Sequence, residues 1–176
     1  MVTSTPASPE GSEANGPPRR YERLSSVAEQ AAAIDTLIDL AKLSIRVFDV
    51  DLSRMGWNEA ARTDKLTKFL RGAPGARLEI IVHDTDWIER SCPRLLNLFR
   101  SYSHAMTIRK TGQDARAAMD PLLIVDGIHF LHRFNIAQPR AALSINDPDA
   151  AVPLVLRFDA ISESAEPGLT ASVLGL

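Results

Sequence analysis

Acidic and imidazole side chains follow two predicted strands at the points where each strand ends. Asp49 and Asp51 close the first strand, and His83, Asp84 and Asp86 follow the second. If these strands are parallel neighbours, their carboxyl ends meet at one edge of the sheet, where open α/β sheets place ligands. Carboxylates and an imidazole there could bind a divalent cation and support a metal-dependent phosphodiesterase or nuclease. Aspartates at strand ends also cap the turn or helix that follows, and we favour this second interpretation.

Two further histidines and the cysteine content give no second metal site. His129 and His132 are three residues apart on a predicted strand, so they point to opposite faces and cannot share a metal without a bulge. Cys92 is the only cysteine, which excludes an internal disulfide and a cysteine-based zinc site. The sequence therefore predicts no cofactor.

The segment from Asp120 to Gly127, Asp-Pro-Leu-Leu-Ile-Val-Asp-Gly, indicates a buried strand that ends in an acid and a turn glycine. It resembles the last part of the H-x-K-x4-D signature of the phospholipase D superfamily. Counting back from Asp126 places Met119 at the position of the nucleophilic histidine and Pro121 at that of the lysine. A thioether offers no proton chemistry, and a proline ring offers no charge to an oxyanion. The resemblance thus implies the scaffold of a phosphodiesterase without its catalytic pair.

The same resemblance suggests which residues could keep a contact with a ligand. Asp126 matches the family acid that orients the histidine, although an aspartate before glycine also simply forms a turn. His132 and Arg133 fall near the family's Gly-Ser phosphate region, and Asn135 matches a family asparagine after a one-residue gap. Family members with a single motif complete their site by homodimerisation, so a twofold dimer is implied.

Predicted strands and helices alternate, and a two-residue hairpin interrupts them at Asp126-Gly127. Ser26 and Glu29 form a capping-box pattern ahead of the first helix. The predicted elements are a helix to about Leu43, a strand Ser44–Val50, a helix capped by Asn58 and ended by Gly72, a strand Arg77–His83, a helix Cys92–Tyr102, strands Thr107–Lys110, Leu122–Val125, Ile128–Phe134 and Arg140–Ile145, and a helix from Asp147. The prediction is an α/β fold, a mixed β-sheet flanked by helices on both faces, similar to one half of a phospholipase D-like protein.

Composition divides the chain into three parts. Residues 1–22 are rich in Ser, Pro, Gly and Glu and are predicted to be a disordered tail, because they cannot bury enough apolar surface to offset the entropy of ordering. Residues 23–166 form the predicted phospholipase D-like domain, and residues 167–176 are predicted to fray.

Charge and hydropathy narrow the function. A net charge of −2 gives no electrostatic argument for nucleic-acid binding. No apolar run reaches the roughly 20 residues that span a bilayer, and one cysteine suits a reducing cytoplasm, here expected to be bacterial. The preferred hypothesis is a non-catalytic module that binds a protein partner or a phosphate-bearing ligand. The alternatives are the metal-dependent phosphodiesterase and, last, a Rossmann-like module, which lacks its glycine-rich loop here.

Overall fold

Residues 16–171, the part of the chain that the computed structural model describes, contain eight strands in one sheet and five α-helices. The strands are β1 (Arg20–Leu24), β2 (Ser44–Asp49), β3 (Arg77–Val82), β4 (Met106–Lys110), β5 (Leu122–Val125), β6 (His129–Arg133), β7 (Ala141–Ile145) and β8 (Glu166–Leu169). The helices are α1 (Val27–Leu40), α2 (Ala60–Gly72), α3 (Asp86–Ser91), α4 (Pro93–Ser101) and α5 (Pro148–Glu163).

The sheet is mixed, as predicted, and its order is β1-β7-β6-β5-β2-β3-β4-β8. β2, β3 and β4 run parallel, and every other neighbouring pair is antiparallel. The hairpin between β5 and β6 is confirmed, and Asp126 and Gly127 adopt the positive φ angles of 53° and 69°. These two residues form the centre of a turn closed by the Ile128 N–H and the Val125 carbonyl, and the loop between the paired residues Val125 and His129 has three residues instead of the predicted two.

Helices cover both faces of the sheet, which confirms the predicted fold class. Because side chains alternate along a strand, Val47 of β2 joins the larger core beneath α1, α2 and α4. Its neighbour Phe48 points to the opposite face and joins a smaller core with Phe158 and Ile161 of α5. The hydrophobic effect thus stabilises the sheet from both sides.

Local signals set several helix ends. Ser26 and Glu29 form the predicted capping box at the start of α1. Asp147 caps α5 by accepting a hydrogen bond from the Ala150 N–H, and Pro148 occupies the first turn. The helix begins there and continues through Pro153. No helix within residues 16–171 is long and apolar enough to cross a membrane.

The structure differs from the sequence prediction at both ends of the domain. β1 begins at Arg20, inside the predicted tail, and pairs with β7. β8 pairs with β4 and lies mostly in the segment predicted to fray. Both are edge strands whose pairing comes from distant residues, which a local pattern does not reveal. Residues 1–15 of the predicted tail and 172–176 of the predicted frayed end lie outside the described residues.

The segment between β3 and β4 was also predicted incompletely. α3 precedes the predicted helix as a separate element.

Asn58 does not cap α2, whose N-cap residue is Glu59 and has no side-chain capping bond. The Asn58 Oδ1 instead accepts the backbone N–H of Arg94 at the start of α4, 2.9 Å away. The side chain therefore satisfies a helix terminus, but one 36 residues away in sequence.

Candidate functional site

Met119 and Pro121 lie immediately before β5, beside the carboxyl end of β2. Phe48 pairs with Leu122, so Asp49 at the end of β2 lies next to Pro121. The carbonyl of Pro121 accepts a hydrogen bond from Arg133 N–H at 2.9 Å. The Met119 side chain is 42% exposed. The two positions that should carry a nucleophile and a cation therefore present a thioether and a proline ring.

Asp126 lies at the other end of β5 and has a structural role there. Its carboxylate accepts hydrogen bonds from the backbone N–H groups of Lys42, Leu43 and Ser44, each at 2.8 Å. Lys42 and Leu43 lie in the loop that connects α1 to β2, and Ser44 is the first residue of β2. A carboxylate with three N–H donors is well satisfied, and it fixes this loop against the hairpin turn.

The three predicted ligand contacts are used mostly inside the protein. Arg133 is buried, and its Nε and Nη2 donate to the carbonyls of Gln138 and Ile136 at 3.1 and 2.8 Å. The Asn135 Oδ1 accepts the N–H of Ala137. Arg133 and Asn135 thus shape the loop after β6, so their hydrogen-bonding capacity is partly taken up by that loop.

His132 points to the α5 face and contacts the carboxylate of Asp120 at 3.4 Å. Burial lowers the pKa of His132, and the hydrogen bond to Asp120 partly opposes that shift. Asp120 also pairs with Arg157 of α5. The Phe134 ring lies edge-on to His132, with 5.3 Å between ring centroids, and is 49% exposed. Met119 and Phe134 therefore flank a small polar cluster on the surface.

The residues of the predicted metal site lie at one edge of the sheet, since β2 and β3 are parallel neighbours. The oxygen and nitrogen atoms that would bind a metal, however, have other partners in the protein. His83 Nδ1 contacts Thr111 Oγ1 and its Nε2 contacts the carbonyl of Ala118, both at 2.7 Å. Asp51 accepts the N–H of Ser53, and the carboxylate of Asp86 pairs with Arg90.

Within residues 16–171, no group of three or more His, Cys, Asp or Glu side chains is arranged to hold a metal ion. Two of the strand-end aspartates, Asp51 and Asp84, accept a backbone N–H from the turn that follows them. Asp84, for example, accepts the N–H of Asp86 at 2.6 Å.

Asp49 is the exception among these acids, because its side chain is buried beside a cavity. Burial raises the pKa of Asp49 to about 6, and the hydrogen bond from Val50 N–H opposes part of the increase. The guanidinium of Arg133 also favours the charged form. The carboxyl group therefore titrates close to neutral pH.

The cavity beside Asp49 has a volume of about 30 Å³ and lies between α1 and the sheet. Sequence analysis missed two of its polar residues. Gln30 of α1 is completely buried, and Trp57 lies in the loop after β2. The one available signal was that Gln30 occupies the position four residues before Ile34, inside the apolar stripe of α1.

Comparison with solved structures identifies the class of fold. The chain superposes on Nuc of Salmonella typhimurium, a phospholipase D family member, with a TM-score of 0.60 and 15% identity over 87% of this chain and 100% of that one. NucT from Helicobacter pylori gives a TM-score of 0.54 and 13% identity over 86% and 100% of the two chains. The fold of the chain is phospholipase D-like.

Another similar structure is TrmBL2, described as an archaeal chromatin protein with a novel mode of DNA binding. The TM-score is 0.64 with 14% identity, over 89% of this chain and 56% of TrmBL2. The chain therefore spans little more than half of that protein. At such identities the likeness concerns the fold alone.

The sequence itself matches one protein family. Residues 26–170 match the family described as "Domain of unknown function (DUF7931)", and the chain belongs to that family. No curated protein matches the chain significantly.

Proposed function

We propose that this chain is a non-catalytic phospholipase D-like module that binds a protein partner. The observation that carries the proposal is the pair Met119 and Pro121, which stand at the edge of the sheet where the signature requires histidine and lysine. The neighbouring cation, Arg133, donates two hydrogen bonds to backbone carbonyls of its own loop. Arg133 therefore has fewer N–H groups left to bind a phosphate. The exposed apolar side chains of Met119 and Phe134, by contrast, can contact a protein.

The groups at the three signature positions support a module that does not cleave phosphodiesters. Attack on phosphorus requires a nucleophile with an available lone pair and a group that accepts or donates a proton. Neither Met119 nor Pro121 supplies one, and Asp126 is bound to three backbone N–H groups at the far end of β5. The metal-dependent alternative is less well supported, since His83 and Asp86 are engaged by neighbouring groups.

A second copy of the chain is the partner that we favour. Met119 and Phe134 are exposed apolar residues on adjoining segments, since Ile136 N–H donates to the Met119 carbonyl at 2.7 Å. We call Met119, Asp120, His132 and Phe134 the Asp120 surface. Exposed aromatic and methionine side chains are enriched at protein interfaces, and an isologous dimer would bury two copies of this surface.

Location and origin belong to the same proposal. With one cysteine the chain makes no internal disulfide, which agrees with a reducing bacterial cytoplasm. The net charge of −2 supports a partner other than nucleic acid.

The experiment that tests the proposal is turnover of bis(p-nitrophenyl) phosphate by the purified protein, with EDTA and with Mg²⁺, Mn²⁺ or Zn²⁺. We expect no release of nitrophenol above the buffer rate under any condition. The variants Asp126→Ala and Asp49→Ala serve as controls. Turnover above the buffer rate under any condition would overturn the proposal, and its loss in a variant that unfolding measurements show to be folded would identify the acid that supports catalysis.

A further inference from the structure

The cavity between α1 and the sheet is lined mostly by apolar side chains, but four polar residues also line it. They are Gln30, Asp49, Arg133 and Trp57, whose indole carries an N–H. Trp57 is only 2% exposed. Polar groups buried in this way are normally hydrogen-bonded, so each one's partner must be identified.

Three buried atoms here have no partner within residues 16–171. They are Nε2 and Oε1 of Gln30 and Nε1 of Trp57. Gln30 is 0% exposed, so water outside the protein does not reach its amide. Leaving such groups unpaired destabilises the folded protein, which means that a binding group in the cavity would stabilise it.

The size of the cavity limits that group. A volume of about 30 Å³ has room for about two water molecules or for the head of one small polar group. Pro121 is the one lining residue that is half-buried, and all the others are buried. The cavity is therefore entered beside Pro121.

The available donors and acceptors select the chemistry of the group. Trp57 Nε1 and Gln30 Nε2 require an acceptor, whereas Gln30 Oε1 requires a donor. Asp49 in the lining disfavours an anion, and the guanidinium of Arg133 disfavours an ammonium group. A carboxamide satisfies all of these requirements, because it carries a carbonyl acceptor and an N–H donor on one small planar group.

We propose that this cavity binds a neutral primary carboxamide group, presented either by a small free amide or by an asparagine or glutamine side chain of a bound protein. The nitrogen and oxygen of the carboxamide take the places that two waters would otherwise hold. This inference rests on the proposed function, since it assumes that the end of the sheet that carries Met119 and Pro121 binds a ligand instead of cleaving one.

The indole N–H of Trp57 gives a direct signal for this site. The chain has two tryptophans, and Trp87 is partly exposed on α3, so a Trp87→Phe variant leaves a single indole signal. We would titrate the ¹⁵N-labelled variant with acetamide, with a short capped peptide that has a central glutamine, with acetate and with inorganic phosphate. Affinity for so small a group is expected to be weak, so saturation requires high millimolar ligand.

We expect acetamide to shift the Trp57 indole signal saturably, and acetate and phosphate to leave it unchanged. Saturation by the peptide as well would assign the carboxamide to a protein source, and saturation by acetamide alone would assign it to a small molecule. Equal shifts with acetate or phosphate would overturn the assignment to a carboxamide. No saturable shift with any probe would mean that the cavity holds ordered water only, which also overturns it.

Variants of Gln30 separate binding from folding. Gln30→Met removes both polar atoms at similar size and should abolish the acetamide shift, whereas Gln113→Met removes an exposed amide and should preserve it. If Gln30→Met does not fold, Gln30→Glu keeps the shape and an acceptor but loses the donor, and it should weaken the response. A failed titration leaves the turnover result unchanged, so failure of this inference can be told apart from failure of the proposed function.

Discussion

At the residue scale, Asp126 has a structural role at the start of β2. Its carboxylate accepts hydrogen bonds from the backbone N–H groups of Lys42, Leu43 and Ser44, and its φ of 53° forms part of the hairpin turn. The fold therefore uses this side chain as an acceptor, whatever its place in a signature.

The variant Asp126→Ala tests this structural role. It removes three charge-assisted hydrogen bonds and places alanine in a left-handed conformation, so we expect a loss of about 3 kcal/mol in the free energy of unfolding. Urea unfolding measures the loss. Asp126→Asn keeps one acceptor and tolerates the positive φ, so it should lose clearly less; an equal loss in both variants would contradict the explanation.

Asp49 should make stability depend on pH in the direction opposite to a salt-bridged carboxylate. Its pKa in the folded protein is about 6, above the usual value of 3.8, so the folded state binds the proton more tightly. The stabilisation is therefore complete below the lower value and is lost as the pH rises towards the higher one. The shift corresponds to about 3 kcal/mol.

The variant Asp49→Asn removes this titration and keeps an acceptor for the Val50 N–H. We expect its stability relative to wild type to increase by up to about 3 kcal/mol between about pH 4 and about pH 7. Urea unfolding at several pH values measures the difference. A difference that does not vary with pH would show that the buried carboxyl titrates normally.

At the element scale, one buried arginine connects two helices and a loop. The Arg62 Nε of α2 pairs with Asp35 at 2.8 Å, and its Nη2 donates to the carbonyl of Ala31 at 2.8 Å. Nη1 donates to the carbonyl of Met55, and the guanidinium lies 5.6 Å from the centre of the Trp57 ring. Arg62 thus holds α1 and α2 around the loop that carries Trp57.

The variant Arg62→Lys retains the charge but cannot make three bonds in one plane. We expect it to lose about 3 kcal/mol of unfolding free energy, because buried carbonyls and Asp35 lose their donors. Thermal unfolding followed by circular dichroism measures this loss. Arg71→Lys, near the exposed end of α2, is the matched control and should change stability by less than about 0.5 kcal/mol.

At the scale of the whole molecule, the fold alone does not define a function. The proposed twofold dimer predicts that sedimentation equilibrium will show reversible self-association. Phe134→Lys should shift the equilibrium to monomer, because it places a charge in the Asp120 surface. Leu43→Lys introduces the same charge at an exposed residue just before β2, at the opposite end of the strands from Phe134, and should not affect association. A monomeric wild type, or equal effects of both variants, would refute the dimer.

Much of the fold could be predicted from sequence because its signals are local. The branched residues of β2, the capping box at Ser26 and the Asp126-Gly127 turn each depend on residues close together in the chain. The mixed sheet with helices on both faces followed from their order. α3 and the edge strands β1 and β8 were missed, since their short segments carry weak local patterns.

The sequence by itself determined the fold class and the presence of Met119 and Pro121 where the signature requires histidine and lysine. Only the tertiary structure decided which groups meet across long stretches of sequence. It paired Asp126 with backbone groups more than 80 residues away, divided the donor atoms of the strand-end residues among separate partners, and placed Gln30 beside Asp49 and Trp57. The physical reason is that hydrogen bonding and burial depend on distances in space, which chain-local periodicity does not encode.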